Sequence, residues 1–277
     1  MVDDVLVIIG VGGMGEAIAR RSGSGRKLLL GDFNEELLER VAASLSGDGF
    51  DVETAKVDVS SLKSVTALAD TAAALGPVRG VVHTAGLSPA QAPTPAILSV
   101  DLLGVAHTLD VFAPVMAPGG AGVVIASMAG TMAAMQMPAE LEGALASTPT
   151  AQLLDLPFLQ GEAVPNPGAA YSFAKRANQL RVQAASLEWG RHGARVNSIS
   201  PGIISTPMGQ QELASESGAQ MRQMISGSAT GRLGTPGDIA AAAAFLLGPD
   251  ATFVTGTDLL VDGGAVAGVR AAMAAAR

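Results

Sequence analysis

Short, unbroken apolar runs alternate along this chain with longer stretches in which apolar positions recur every three or four residues. Runs such as "VLVIIG" (5–10), "VVHTAG" (81–86) and "GVVIAS" (122–127) suit strands buried on both faces, and the longer stretches suit helices with one apolar side. The pattern predicts strands near 4–10, 26–31, 52–57, 78–84, 121–127, 194–199 and 257–261. Helices are predicted over 13–22, 34–45, 61–75, 95–116, 169–191, 210–224 and 236–247. Strands alternating with helices imply an α/β fold, a single doubly wound Rossmann-type domain whose mostly parallel seven-stranded sheet carries helices on both faces.

No linker or composition break divides residues 1–277, so one domain is expected. Residues 131–168 depart from the alternation: Pro138, Pro149, Pro157, Pro165 and Pro167 interrupt a Met- and Leu-rich stretch that reads as an insertion. The Ala-rich tail after Gly264 reads as a terminal segment without functional signal.

Composition narrows the chemistry. The 277 residues include 48% apolar and 15% charged side chains, the balance of a folded chain with a large interior. There is no cysteine, so thiolate nucleophiles, disulfides and zinc–thiolate sites are excluded, and His83, His107 and His192 lack ligand spacing; no metal is expected. A net charge of −8 opposes binding to a phosphate backbone, which argues against a nucleic-acid partner. The longest apolar run, Ile239–Leu247, is too short to span a bilayer, and Met1-Val2-Asp3-Asp4 lacks the basic flank of a secretory signal. The expected location is the cytoplasm.

Chemistry concentrates first at the end of the first strand. There "GVGGMGEAIARR" sets out Gly10-x-Gly12-x-x-Gly15, with Met14 inside the loop, at the opening of a helix. A dinucleotide pyrophosphate needs close backbone N–H groups and the positive end of a helix, and glycine permits that approach. Asp32, ending the second strand, is placed to accept the adenosine ribose hydroxyls and repel a 2′-phosphate, which points to NAD. Asp32 also reads as a cap of the next helix, although Asn34 can fill that role.

A second concentration lies in "AAYSFAKRAN" (169–178), which holds the only tyrosine. Residues four apart share a helix face, so the Lys175 ammonium can favour the phenolate of Tyr171 and fit it for proton transfer with an alcohol or ketone, although this spacing alone reads more simply as an unrelated pair on a surface helix. Ser127, at the end of the fifth strand, is placed to hold the substrate oxygen.

With "YSFAK", "VVHTAG", "VDV" (57–59), "RVNSISPGIISTPM" (195–208) and the stretch from 231 to 264, the sequence resembles the classical short-chain dehydrogenases/reductases over essentially its whole length outside 131–168. The resemblance implies that Tyr171 is the acid/base, Lys175 its modulator and a ribose ligand, and Ser127 the oxygen donor, with Tyr171 itself at the cofactor. It further implies cofactor contacts at Ala85, Gly86, Pro201 and Gly202, with Ile204 and Thr206 at the carboxamide and Asp58 and Val59 beside adenine. Plainer roles stay open: Thr206 and Asp58 as helix caps, Ile204 as core.

Three positions depart from the family pattern. Gly10 precedes Gly13 by three residues, one fewer than usual. His83 replaces the first asparagine of an Asn-Asn-Ala-Gly segment and reads as a packing group. Asp101 stands where the family carries an asparagine that supports a water chain to the lysine, so it joins the catalytic set with its proton relay tuned differently.

Forty-three residues separate Ser127 from Tyr171, more than in most relatives, and some hydroxysteroid dehydrogenases carry a comparable insertion. Met137, Leu141 and Leu145 give a short helix one apolar face, and Met128, Met132 and Met135 add adaptable surface. These read either as a lid over a bulky substrate or as packing against the domain or a neighbouring subunit. The expected activity is NAD-dependent interconversion of a hydrophobic, bulky, cyclic or steroid-like secondary alcohol and its ketone. A weakly catalytic dinucleotide sensor and an NADPH-dependent 3-oxoacyl-type reductase are the alternatives. By family analogy the assembly is a homo-oligomer, a tetramer.

Overall fold

A computed structural model describes residues 4–275 of the chain; the N-terminal residues 1–3, on which part of the reading against a secretory signal rests, lie outside it. Seven strands form one sheet in the order β3-β2-β1-β4-β5-β6-β7, every neighbouring pair parallel. They are β1 (Val5–Ile9), β2 (Lys27–Asp32), β3 (Asp51–Lys56), β4 (Val78–His83), β5 (Met116–Ile125), β6 (Arg195–Pro201) and β7 (Asp258–Val261). The fold is a Rossmann-type α/β domain, as the alternation of apolar periods implied. Beside β1 the chain leaves to β2 on one side and β4 on the other, and the diverging loops open a crevice at the strands' carboxyl ends.

The apolar runs are explained by two cores. Every side chain of β1 is fully buried. Val5, Val7 and Ile9 face a layer built on α3 (Leu62–Leu75), α5 (Gly104–Phe112) and α8 (Pro167–Arg191). Leu6 and Ile8 face α1 (Gly13–Ser22), α2 (Glu35–Gly47) and α11 (Pro236–Leu247). Burying each such side chain is worth about 1.5–3 kcal/mol. Edge strand β3 is largely exposed, which is why its residues alternate in polarity.

The helices begin where short polar side chains can satisfy free N–H groups. Asn34 accepts from Leu37 at the start of α2, and Thr235 and Asp238 form a reciprocal capping box on α11. Asn166 accepts from Ala169 ahead of Pro167, starting α8 four residues before Tyr171.

The structure modifies three sequence expectations. The stretch read as one helix over 95–116 consists of α4 (Thr94–Ile97), a π-helical turn (Leu98–Leu103) and α5. Its span Thr94–Val115 also has the length and mean hydropathy (1.6) of a membrane-crossing helix, although polar residues interrupt its apolar runs. In the fold 67% of that window is buried, the pattern of a core helix. The single helix over 210–224 is two, α9 (Pro207–Ala214) and α10 (Gly218–Ser226), divided where Ser215 turns back to bond the Glu212 carbonyl. The tail forms α12 (Ala265–Ala275), which packs on the insertion.

The insertion opens with α6 (Met128–Ala133) and α7 (Ala139–Ser147), followed by short 3-10 turns. Its apolar face is spent on the domain: Leu145, Leu153, Leu159 and Val164 pack with Ile97, Leu102, Ala106 and the alanines of α8. Arg176 pairs with Glu142 at 2.8 Å, and Arg181 donates to the carbonyls of Leu145 and Thr148.

Candidate active site

The glycine loop closes by direct backbone approach. A Cβ on Gly15 would lie 1.9 Å from the Gly10 carbonyl oxygen, so this glycine allows α1 to dock on the loop. Gly10, at φ +91°, leaves no room either, since its Cβ would lie 2.5 Å from the Ala85 nitrogen. Gly12 is different: a Cβ there would meet nothing within 4 Å, so its peptide opens onto the crevice. Thr84 locks the loop from the neighbouring strand by donating its hydroxyl to the Gly10 carbonyl at 2.6 Å.

The crevice has a volume of about 1150 Å³. Gly10, Gly12, Met14, Asp32, Asp58, Val59, Ala85, Gly86 and Thr206 all line it. Asp32 accepts the amides of Val11 and Asn34 at 2.8 and 2.9 Å, and the cap of α2 falls to Asn34. Thr206 caps α9 by accepting from Gly209 and so keeps the plainer role while facing the crevice, whereas Asp58 caps no helix: it accepts from the amide and hydroxyl of Ser60, and the cap of α3 falls to Ser61. Its size, the open peptide at Gly12 and the carboxylate at the second strand's end fit a dinucleotide.

Six residues expected at the cofactor are not part of this lining: Gly15, Tyr171, Lys175, Pro201, Gly202 and Ile204. Pro201 ends β6 as a buried residue, Gly202 lies against Asp262, and Ile204 packs its side chain into the core. Gly202 and Ile204 border a separate cavity of about 210 Å³. Phe33, Arg40, Leu87, Gln91 and Met208 line the crevice without having been singled out in sequence. None carries a local motif; the tertiary approach of α2, α9 and the loop after β4 brings them there.

Ser127, Tyr171, Lys175 and Asp101 do converge. Ser127 follows β5 as the N-cap of α6, accepting from Ala129 at 3.1 Å. Gly130, one turn on, lets α6 touch α8, because a Cβ there would lie 2.6 Å from the backbone of Lys175. The Lys175 ammonium, 4% exposed, donates to the Ile125 carbonyl at 3.3 Å and sits 5.4 Å from the centre of the Tyr171 ring. It also lies 3.4 Å from Asp101 Oδ2, and Asp101 Oδ1 accepts the Leu87 amide at 2.7 Å.

Burial pushes the Tyr171 phenol above its ordinary value of 10. Lys175 opposes the rise, Asp101 adds to it, Ser127 opposes it and Glu212 adds to it. Burial works to discharge Lys175, yet Asp101 and Tyr171 outweigh it and the ammonium is held above its usual range. His83 is fully buried, pushed down to about 3 by burial and by the charge of Lys175, so it is an uncharged packing group. Among the described residues no cluster of three or more His, Asp or Glu side chains could hold a metal.

A crevice fit for a dinucleotide, whose lining residue Gly86 lies against Lys175 of the Ser-Tyr-Lys group, defines an NAD(P)-dependent oxidoreductase acting on CH–OH groups. Sequence comparison places the chain more closely: residues 4–139 match the short chain dehydrogenase family model, and residues 139–266 match a model described as enoyl-(acyl carrier protein) reductase. The chain is 45% identical over 271 residues to the short-chain dehydrogenase/reductase bsc3 of Alternaria brassicicola, covering 96% of this chain and 97% of that one. It is 32% identical to 2-(S)-hydroxypropyl-CoM dehydrogenase 3 of Xanthobacter autotrophicus, with the same coverage. A 7α-hydroxysteroid dehydrogenase solved with NADH and 7-oxo glycochenodeoxycholic acid superimposes with a TM-score of 0.74 at 26% identity, over 95% of this chain and 94% of that one. The chain belongs to the short-chain dehydrogenase/reductase family.

Proposed function

We propose that the protein uses NAD to interconvert a bulky, apolar secondary alcohol and its ketone, with Tyr171 as the general acid/base. The observation that carries this reading is the convergence of Ser127, Tyr171 and Lys175, with Lys175 lying against Gly86 of a crevice that Asp32 also lines. The bound cofactor supplies hydride exchange with the reacting carbon. Ser127 holds the substrate oxygen, Tyr171 exchanges a proton with it, and Lys175 orients the phenol and binds ribose. The Asp32 carboxylate favours the free ribose hydroxyls of NAD over a 2′-phosphate.

The apolar substrate is supported by Met132 and Met135, which pack with Met128, Ala265 and Val266 but stay only partly buried, leaving soft apolar surface close to Ser127. On this reading 131–168 is a substrate-side insertion within one domain, anchored by its leucine face to α8. We further propose a homo-oligomer, the tetramer implied by the family; exposed Phe245, Phe253 and Leu260 supply apolar surface for subunit contacts.

The test is NADH formation across small, long-chain, monocyclic and steroidal secondary alcohols. Turnover concentrated on the bulky members is expected. Turnover only with NADP, or only with short polar alcohols, would overturn the cofactor or the substrate assignment respectively. A light-scattering mass equal to one chain would remove the oligomer.

A further inference from the structure

We propose that Asp101 is a positioning residue that engages the charge of Lys175, so that Tyr171 keeps its proton through neutral pH and the site favours proton donation in ketone reduction, leaving alcohol oxidation to alkaline conditions. This rests on the oxidoreductase reading above and assigns the direction of proton flow within it.

The geometry is built around the pair. Asp101 is wholly buried on the π-helical turn Leu98–Leu103, whose wider winding interrupts the α-helical path at that residue. Each carboxylate oxygen faces nitrogen: Oδ1 the Leu87 amide at 2.7 Å, Oδ2 the Lys175 ammonium at 3.4 Å. Gly86 makes room, since a Cβ there would lie 3.2 Å from Oδ2 and 3.3 Å from Nζ. Few other charges compete. His83, behind Lys175 on β4, is neutral; Glu212 of α9 adds negative charge on the side of Tyr171. Lys175, 5.4 Å from the centre of the ring, and Ser127 favour the phenolate, while Asp101 and Glu212 disfavour it.

An asparagine at position 101 would leave the ammonium uncompensated and free to stabilise a phenolate. Aspartate opposes that stabilisation and adds to the effect of burial. At the alkaline pH where a phenol ionises, the carboxylate is charged and opposes a second anion nearby. In the favoured direction the carbonyl carbon gains a hydride from reduced dinucleotide while the carbonyl oxygen gains the Tyr171 proton. The alcohol and oxidised dinucleotide leave, and the phenolate recovers a proton from solvent.

Because Tyr171 is the only tyrosine, its ionisation can be read directly by ultraviolet absorbance of the full-length protein during alkaline titration, without substrate. The wild type is expected to titrate above 10. Asp101→Asn is expected to lower the midpoint by about one pH unit, a tenfold gain in ionisation constant. Asp101→Glu, which keeps the charge, should stay near the wild type; if the Asn variant does not fold, Asp101→Ser serves the same purpose. The alkaline limb of ketone reduction should move down with the titration. An unchanged midpoint in a folded Asp101→Asn or Asp101→Ser protein overturns the proposal. Failure of every alcohol and ketone to turn over would sink the oxidoreductase reading, whereas the titration still decides whether Asp101 controls the phenol.

Discussion

The Asp32 carboxylate accepts the Val11 amide at 2.8 Å, tying the end of the second strand to the glycine loop that follows the first. One side chain thus shapes the loop and presents negative charge where the adenosine ribose would lie. Asp32→Ala is expected to weaken NAD binding by at least about tenfold, the loss of roughly 1.5 kcal/mol of charged hydrogen bonding. Discrimination against NADP should shrink with it. Calorimetric titration with both nucleotides checks this, and an unchanged preference would show that selectivity lies elsewhere.

Tyr171→Phe removes the exchangeable proton and leaves the ring packed among the residues of α8 and the insertion. Turnover is expected to fall by at least about 10² to 10⁴-fold, the usual worth of a positioned acid/base. Affinity for NAD should change little. A variant that keeps its biological effect without turnover would favour the sensor alternative.

Gly130→Ala tests the contact that holds Ser127 beside Tyr171. Its new Cβ would lie 2.6 Å from the backbone carbon of Lys175, so α6 must move off α8. Overpacking of this kind costs about 1–3 kcal/mol, and for a chain of this size each kcal/mol lowers Tm by roughly 2–4 °C. Turnover should drop more than Tm implies, because Ser127 moves with α6. Measuring kcat and Tm on the same preparation separates the two effects.

His83 gives the fold a defined acid sensitivity. Its folded-state pKa of about 3 lies below the ordinary 6.5, so between those values the unfolded chain takes up a proton that the folded one refuses. Stability from this group is present above pH 6.5 and declines as pH falls toward 3, by up to about 1.4 kcal/mol per pH unit. The Thr108 hydroxyl already donates to the Gly104 carbonyl, so it accepts from His83 and fixes the proton on Nδ1. His83→Asn is expected to flatten Tm against pH across this window; an unaltered slope would show that other groups govern acid unfolding.

Much of the site was legible from local pattern. The strand that ends at Gly10, the helix that opens at Gly13 and the four-residue spacing of Tyr171 and Lys175 depend on neighbours along the chain, and apolar period reports such neighbours directly. The misread helices followed from the same source. The break after Ala214 depends on Ser215 bonding back to Glu212, and the π turn at Leu98–Leu103 inserts an irregularity that helical spacing does not announce.

What the sequence alone determined was the alternation of strands and helices and the glycine-rich turn between the first strand and helix, because short-range geometry suffices for these, while the Ser-Tyr-Lys group was legible only through the family motifs spread along the chain. Only the tertiary structure decided that Asp101 meets Lys175, that Thr84 clamps Gly10, and that the leucines of the insertion pack on α8 while α12 covers its methionines. The physical reason is common to all of them. Each joins elements distant in sequence, and such contacts depend on which faces the sheet order and the packed helices bring within a few ångströms.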